Sequence, residues 1–235
     1  MAAAILPSNA WEIDKMNEQI EKTNVIVSGI CSGTVIDKKK RLVLTAHHCI
    51  TDNLKETVKK EVDPISGEIK EKKIVERKPL YIEVWHRQDF EVVSSEMHTA
   101  EIRGYDDKTD VAVIQVIGED WNPEMAAPFA SDDYKYKRGL TVFAVGNPGI
   151  LFDNSITQGI ISAPERALSF GTGNIKMFQH SASIIGGSSG GAIYNDKGEI
   201  IGTVTGGVRG ADIGLSVPIR YTKELLKRLN IKLGE

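Results

Sequence analysis

The stretch GGSSGGAIYNDKGEIIG, residues 186–202, places two serines between two pairs of glycines, and two strand-like runs around the turn NDKG follow. Glycine weakens regular structure, so it is favoured where the backbone bends sharply or approaches another group closely. Within the first six positions, Ser188 and Ser189 carry the side chains, and both end in hydroxyls. The stretch therefore indicates a tight backbone loop built around a serine.

The rest of the chain consists mainly of short runs rich in β-branched residues, which are separated by turn signals such as GNPG and GTGN. Many short strands with no helices between them favour a barrel or a sandwich. Helix-like spacing predicts a short amphipathic helix over 10–22 and a closing helix over 220–229. The predicted strands are 25–30, 33–36, 42–45, 81–85, 111–117, 141–145, 156–161, 176–180, 191–194 and 200–205.

Shifts in composition divide the chain. We expect a helical extension at 1–23, an N-terminal half at 24–118, a connector at 119–135 and a C-terminal half with the closing helix at 136–235. The segment 52–79 is dense in Lys and Glu, and we interpret it as a solvated hairpin around DPISGE. A loop that docks a partner is the alternative.

The composition is that of an ordinary globular protein, and a net charge of -3 gives no electrostatic case for nucleic acid or a membrane surface. No apolar run is long enough to cross a bilayer. The start, MAAAILPSNAWEIDK, lacks the basic region and the long apolar run of a secretory signal. The default expectation is therefore a cytoplasmic or virion-associated protein whose two cysteines are free thiols.

Three stretches carry residues suited to chemistry. RLVLTAHHCI at 41–50 ends a strand with a histidine pair, and DDKTDVAVIQVIG at 106–118 puts an aspartate directly before a buried-looking strand. The glycine–serine loop is the third. A serine nucleophile needs a base for its proton, an anion to orient that base, and N–H donors for the developing oxyanion. Together the three stretches supply these groups, so the sequence indicates acyl transfer on a serine.

Other interpretations of these stretches are weaker. The five histidines and two cysteines offer no second cluster at ligand spacing, so we expect no metal and no cofactor. GGSSG also fits the Gly-x-Ser-x-Gly elbow, but that elbow needs a helix after the serine and a histidine last in the chain. A phosphate-binding loop would need Gly-Lys-Ser/Thr, which does not follow.

At this point the motifs resemble a known family. LTAHHC and GGSSGGAIYNDKGEIIG resemble the histidine and serine motifs of trypsin-like serine proteases. The segments 141–168 and 211–226 resemble the HtrA/Deg-type branch, and the likeness covers roughly 24–229. The resemblance implies an all-β, chymotrypsin-like fold of two six-stranded antiparallel β-barrels, with a short N-terminal helix and a C-terminal helix.

The resemblance also assigns roles within a catalytic triad. It implies that His48 is the base, Asp110 the orienting carboxylate and Ser189 the nucleophile, with His47 as the alternative base. The N–H groups of Gly187 and Ser189 would form the oxyanion hole. The implied activity is that of a serine endopeptidase that cleaves proteins or peptides through an acyl-enzyme, without a cofactor.

The chain departs from the wider family in several respects. Ser188 stands where zymogen-type members carry an aspartate, so we do not expect activation by insertion of a new N-terminus. We also expect no PDZ module of the kind that many HtrA proteins carry after this domain. Cys31 and Cys49 resemble the pair that brackets the histidine loop in secreted trypsin-like enzymes, and whether they form a disulfide stays open.

Specificity is predicted from the pocket that the family uses. Ser183 would lie at its base, and Thr205, Gly206 and Gly207 would line one wall. Because no acid stands at the base, we expect small or aliphatic side chains rather than Lys or Arg at the scissile bond. His180 could instead favour Gln or Glu, although packing is the preferred interpretation.

Two rival functions remain open at this stage. One is a catalytically latent trypsin-like module that serves as a binding or structural protein. The other is a viral or phage maturation protease of narrow specificity. The sequence leaves the oligomeric state undetermined.

Overall fold

The structure is a computed structural model that describes residues 12–62, 69–88, 91–149, 151–170, 173–208 and 210–234. Two helices, α1 (Ile13–Thr23) and α2 (Ile219–Arg228), lie at the two ends of the described chain. The strands of this part, in chain order, are β1 (Asn24–Val27), β2 (Cys31–Asp37), β3 (Leu42–Thr45), β4 (Leu54–Val62), β5 (Ile69–Arg77), β6 (Leu80–Gln88), β7 (Glu91–Asp106), β8 (Val111–Val116), β9 (Thr141–Gly146), β10 (Ser155–Phe170), β11 (Gly173–His180), β12 (Ala192–Tyr194), β13 (Ile200–Gly207) and β14 (Gly214–Pro218).

Twelve of these strands form two closed barrels, so the predicted fold of two six-stranded antiparallel barrels is confirmed. The first barrel closes in the order β1-β2-β3-β8-β7-β6, and the second in the order β10-β11-β14-β13-β12-β9. Closure pairs every strand on both sides, which removes the exposed edges that would otherwise template aggregation.

Alternating side chains explain why β2, β3 and β8 are buried on both faces. One set, which includes Val35, Val43 and Ile114, fills the interior of the first barrel. The other set, which includes Leu44 and Val113, packs against residues of the second barrel in a shared cluster. Since successive side chains of a strand point to opposite faces, one sequence run serves both cores.

The two helices cover the cluster between the barrels. Ile20 of α1 and both Leu225 and Leu226 of α2 belong to that cluster. The predicted helices at 10–22 and 220–229 correspond to α1 and α2, although residues 10 and 11 lie outside the described residues. No helix in the described ranges is long and apolar enough to span a membrane.

The Lys/Glu-rich segment forms a separate two-stranded sheet of β4 and β5. Lys73 and Glu56 pair at 2.7 Å across this hairpin, and both side chains are exposed. The predicted turn DPISGE, 63–68, lies outside the described residues. The longest strand of the first barrel, β7, was not predicted, because its first half is exposed and rich in serine and charge.

Candidate active site

His48 and Asp110 come together because they lie at neighbouring strand ends. His48 stands in a turn directly after β3, and Asp110 directly precedes β8, which pairs with β3. The His48 Nδ1 atom lies 2.9 Å from Oδ2 and 3.0 Å from Oδ1 of Asp110. A carboxylate oxygen only accepts, so Nδ1 carries the proton and Nε2 is left with the lone pair of a base.

The backbone around Asp110 holds this carboxylate in place. Oδ1 also accepts the backbone N–H of His48 at 2.9 Å, and the Asp110 carbonyl accepts the N–H of His47 at 3.2 Å. Asp110 has a φ of 55°, in the left-handed region that aspartate tolerates better than most residues. Such a conformation persists only where its surroundings determine it, and functional sites are frequent among such places.

The second histidine of the pair points elsewhere. The His47 ring stacks on Tyr105 with ring centroids 4.9 Å apart. Burial is the main cause that lowers the pKa of His47 below its usual value. The Asp110 carboxylate therefore orients His48 and not its neighbour.

The serine loop presents two backbone donors. Among the described residues, neither Gly187 nor Ser189 donates its N–H group to a protein acceptor. Gly187 has a φ of 98°, and a side chain there would collide with the carbonyl oxygen of Asn147. Glycine is thus required at 187, and its N–H has no protein acceptor in the described part of the chain.

The Ser189 hydroxyl lies between the barrels but is not bonded to His48. Its Oγ donates to the carbonyl of Thr205 at 3.4 Å, a long and weak hydrogen bond. The Ser189 carbonyl oxygen is 3.7 Å from Sγ of Cys49. One ring nitrogen of His48 lies within 4.8 Å of the sulfurs of Cys49 and Cys31. These distances bring the imidazole and the serine loop to the same sulfur, Sγ of Cys49.

Those sulfurs belong to a disulfide between Cys31 and Cys49. The default expectation of free thiols is therefore corrected, and the pairing that the sequence left open is formed. The bridge joins the first residue of β2 to the turn that carries His48. Bridged sulfurs offer no thiolate, so these residues do not make a metal site.

Three of the residues predicted to line the specificity pocket, Thr205, Gly206 and Gly207, form the end of β13. Ser183 is exposed, and its carbonyl accepts the hydroxyl of Thr157 at 2.7 Å. Thr205 is nearly buried, whereas a side chain at Gly206 would meet open space. A side chain at Gly207 would approach Ile184 within 3.4 Å. Ile184 is thus an apolar neighbour of this wall that the sequence analysis did not include.

His180 has a packing role in the structure. It is fully buried, and its Nε2 lies 3.0 Å from the hydroxyl of Ser216. Its ring fills the space that a side chain at Gly214 would occupy. Burial lowers the pKa of His180 to about 4. The ring is therefore neutral near pH 7.

Sequence reasoning missed the residues that hold the serine loop. Ser32 donates its hydroxyl to the Gly187 carbonyl at 2.7 Å, and its N–H to the Ser189 carbonyl at 2.8 Å. The backbone N–H of Asn147 donates to the Ser32 hydroxyl at 2.7 Å. The available signals were the tripeptide CSG at 31–33 and the sequence GNPG, which by itself indicates only a turn.

Two antiparallel barrels, with a paired histidine and aspartate on one and a glycine-flanked serine on the other, define the class of trypsin-like peptidase domains. The family model described as the trypsin-like peptidase domain matches residues 31–202. The chain belongs to this family.

Individual relatives show which branch of the family the chain resembles. The chain is 40% identical over 105 residues to a serine protease Do-like HtrA of Lactobacillus helveticus, covering 44% of this chain and 25% of the relative. It is 37% identical over 114 residues to a serine protease Do-like HtrB of Bacillus subtilis, covering 46% and 24%. The predicted resemblance to HtrA/Deg-type proteases is confirmed. The chain spans about a quarter of the length of these curated relatives.

A solved structure shares the fold. The crystal structure of the serine endoprotease from Yersinia pestis matches 95% of this chain and 67% of its own, with a TM-score of 0.63 and 23% identity. At that identity the likeness concerns the two-barrel architecture alone.

Proposed function

We propose that this chain is a serine endopeptidase that cleaves peptide bonds through an acyl-enzyme on Ser189. The observation that carries the proposal is the contact of His48 Nδ1 with the Asp110 carboxylate at 2.9 Å, beside a serine loop that keeps two N–H groups free. Serine acyl transfer requires these three provisions together: a base, its orienting anion and donors for the oxyanion.

In the proposed reaction, Ser189 attacks the carbonyl carbon of the peptide bond while Nε2 of His48 accepts the hydroxyl proton. Asp110 keeps the imidazole in the right tautomer and stabilises the imidazolium. The N–H groups of Gly187 and Ser189 hold the oxyanion of the tetrahedral intermediate. His48 then protonates the leaving amine, and water hydrolyses the ester with His48 again as base.

The hydrogen bond from Ser189 to Thr205 does not oppose this assignment. At 3.4 Å it is weak, and rotation about one side-chain bond leads to another staggered position. The cost is therefore about 1 kcal/mol or less, the net value of an ordinary hydrogen bond. The rival function is a catalytically latent module. It is favoured by the same hydrogen bond, because the Ser189 hydroxyl is directed to Thr205 and not to His48.

The pocket supports a preference for small or aliphatic side chains before the scissile bond. Gly206 leaves the wall open, and Ile184 adds an apolar surface beside Gly207, where a side chain would collide with the carbonyl oxygen of Ile213. A protein or peptide is accordingly the proposed substrate. A peptide library digested by the chain should show Ala, Val or similar residues before the cut, and enrichment of Lys, Arg or Glu there would contradict the preference.

Labelling with a fluorophosphonate tests the activity directly. Wild type should react, and Ser189→Ala should not, because the nucleophile is gone. Ser131→Ala serves as the matched control, since this serine is exposed in the predicted connector and its hydroxyl donates to the nearby Asp133 carboxylate. Labelling of Ser189→Ala at the wild-type rate would refute the assignment. A wild type that never labels would favour the latent module.

Digestion of casein beside candidate partner proteins then separates the remaining alternatives. Cleavage of casein at many sites indicates a general endopeptidase. A single cut in one partner, with casein left intact, indicates a protease of narrow specificity.

A further inference from the structure

Ser32 belongs to the first barrel, but its polar atoms hold the serine loop of the second. It is the second residue of β2 and is fully buried. Its N–H donates to the Ser189 carbonyl, and its hydroxyl donates to the Gly187 carbonyl. One residue thus binds the carbonyl groups on both sides of Ser188.

The two peptide planes that flank Gly187 decide where its N–H, one of the two proposed oxyanion donors, points. In a planar trans peptide the C=O and the N–H point in opposite directions. The N–H of Gly187 belongs to the peptide whose carbonyl is Gly186, and that carbonyl accepts the N–H of Gly149 at 2.6 Å. Ser32 holds the following peptide through the Gly187 carbonyl. Gly187 is therefore fixed between two held peptide planes, although glycine alone would rotate freely.

Asn147 determines the direction of the Ser32 hydroxyl. Its backbone N–H, which can only donate, lies 2.7 Å from Oγ. Oγ must accept there, so its single proton is directed to the Gly187 carbonyl, which can only accept. The Asn147 side chain adds a contact of 3.3 Å from Nδ2 to the same oxygen.

Asn147 is itself held by buried partners. It is 1% exposed, and its Nδ2 donates to the Val25 carbonyl at 2.8 Å. Its Oδ1 accepts Nδ2 of Asn24 at 2.7 Å and the N–H of Asn154 at 3.1 Å. These bonds tie the turn after β9 to β1, which places the hydroxyl of Ser32 within a network of fixed geometry.

Gly146 makes room for this network. A side chain on Gly146 would come within 2.8 Å of Ser32 Oγ and 3.2 Å of Ser188 Cα. Gly146 thus lets the hydroxyl of Ser32 lie between the turn after β9 and the serine loop.

We infer that Ser32, directed by Asn147, is a positioning residue that keeps the oxyanion hole formed before substrate binds. It does not contact the reacting atoms. It acts through the Gly187 carbonyl and hence through the N–H groups of the loop. The inference rests on the proposed function, in which those N–H groups stabilise the tetrahedral intermediate.

The test compares Ser32→Ala with Val35→Ala. Val35 lies on the same strand, is fully buried in the first barrel and belongs to a cluster without residues of the serine loop. Both variants truncate a buried side chain of β2, but only Ser32→Ala removes the hydrogen bond to the Gly187 carbonyl. The expected result is a kcat for Ser32→Ala lower by about 10²-fold, comparable to loss of an oxyanion donor. KM should stay within about two-fold, as for an interaction made only in the transition state.

Two matched ligands separate the oxyanion hole from the rest of the cleft. Acetyl-Ala-Ala-Pro-valinal forms a hemiacetal with the nucleophile and places an oxygen among the N–H groups, whereas the corresponding valinol cannot. Ser32→Ala should lower the affinity for the aldehyde by about 10-fold or more and leave the affinity for the alcohol unchanged. Ser32→Thr, which keeps the hydroxyl, should restore most of the affinity for the aldehyde.

A measurement on the resting protein makes the inference independent of activity. The amide resonance of Gly187 should shift in Ser32→Ala, but not in Val35→Ala. If Ser32→Ala failed to fold, Ser32→Cys, whose thiol donates weakly, would replace it. The Gly187 amide should then shift more in Ser32→Cys than in Val35→Ala. A Gly187 amide unchanged by these variants would overturn the inference. A wild type inert to substrate and aldehyde would refute the proposed function instead, and the amide would still decide the role of Ser32.

Discussion

The two halves of the candidate site are held in different ways. In the first barrel, a side chain holds a side chain: the Asp110 carboxylate contacts the His48 ring at 2.9 Å across two adjacent strand ends. In the second barrel, the serine loop is held through its backbone, by Ser32 of the other barrel and by Gly149. The first half needs only one local strand pair, whereas the second needs both barrels docked.

This difference separates chemistry from geometry. A substitution in the histidine–aspartate half should change the reaction and leave the fold nearly intact. A substitution in the serine loop should change the backbone, and therefore both the reaction and the stability. Variants of the histidine–aspartate half should therefore lose activity alone, whereas variants of the serine loop should lose both activity and stability.

Asp110→Asn should give the largest effect, a fall of kcat by about 10⁴-fold. The amide cannot stabilise the imidazolium, and its NH₂ group favours the wrong tautomer of His48. Asparagine tolerates the left-handed backbone at this position, so the free energy of unfolding measured in urea should change by less than about 1 kcal/mol. Asp107→Asn, at an exposed aspartate of the same turn, is the control. A loss below ten-fold would show that His48 does not depend on this carboxylate.

The structure pairs His48 with Asp110, and the catalytic roles of these two residues and of Ser189 stay a prediction. These three residues were predicted from motif spacing and chain order. Ser32 and Asn147 were not, because their roles arise from hydrogen bonds to residues 155 and 115 positions away in the chain. Such contacts exist only once the barrels have closed and packed, and no local pattern encodes them.

The same reasoning applies to the fold. Both barrels could be predicted from short β-rich runs together with the family resemblance. The strand β7 escaped prediction because burial is confined to its second half, around His98, Ala100 and Ile102. Pairing with β6, and not its own hydrophobic pattern, makes the first half a strand, whereas the second half also pairs with β8.

Gly187→Ala should give the next largest effect, a fall of kcat by about 10²-fold to 10³-fold together with lower stability. The φ of 98° is unfavourable for alanine, and the added carbon would collide with the Asn147 carbonyl. Gly186→Ala is the matched control, because a side chain there would meet no atom within 4 Å. We expect a loss below ten-fold for the control. Equal effects of the two variants on kcat would mean that flexibility of the loop, and not the shape of residue 187, matters.

The smallest effect concerns a second histidine, His180, which contrasts with the half-exposed base. Its folded pKa of about 4 lies below the usual 6.5, so the unfolded chain binds more protons between these values. Stability should therefore be greatest above pH 6.5 and decrease as the pH falls toward 4. Between pH 7 and pH 5 the expected loss is about 2 kcal/mol.

Urea unfolding of wild type and His180→Gln at these two pH values measures that loss. Glutamine does not titrate and retains an amide that can reach the Ser216 hydroxyl, the partner of His180 Nε2 at 3.0 Å. Other groups with shifted pKa values, such as Asp37 and Asp106, contribute equally to both proteins and cancel in the difference. The variant should therefore lose about 2 kcal/mol less than wild type on acidification. If the free energy of unfolding changed equally with pH in both proteins, His180 would become protonated without unfolding the second barrel. Its buried ring would then have access to solvent.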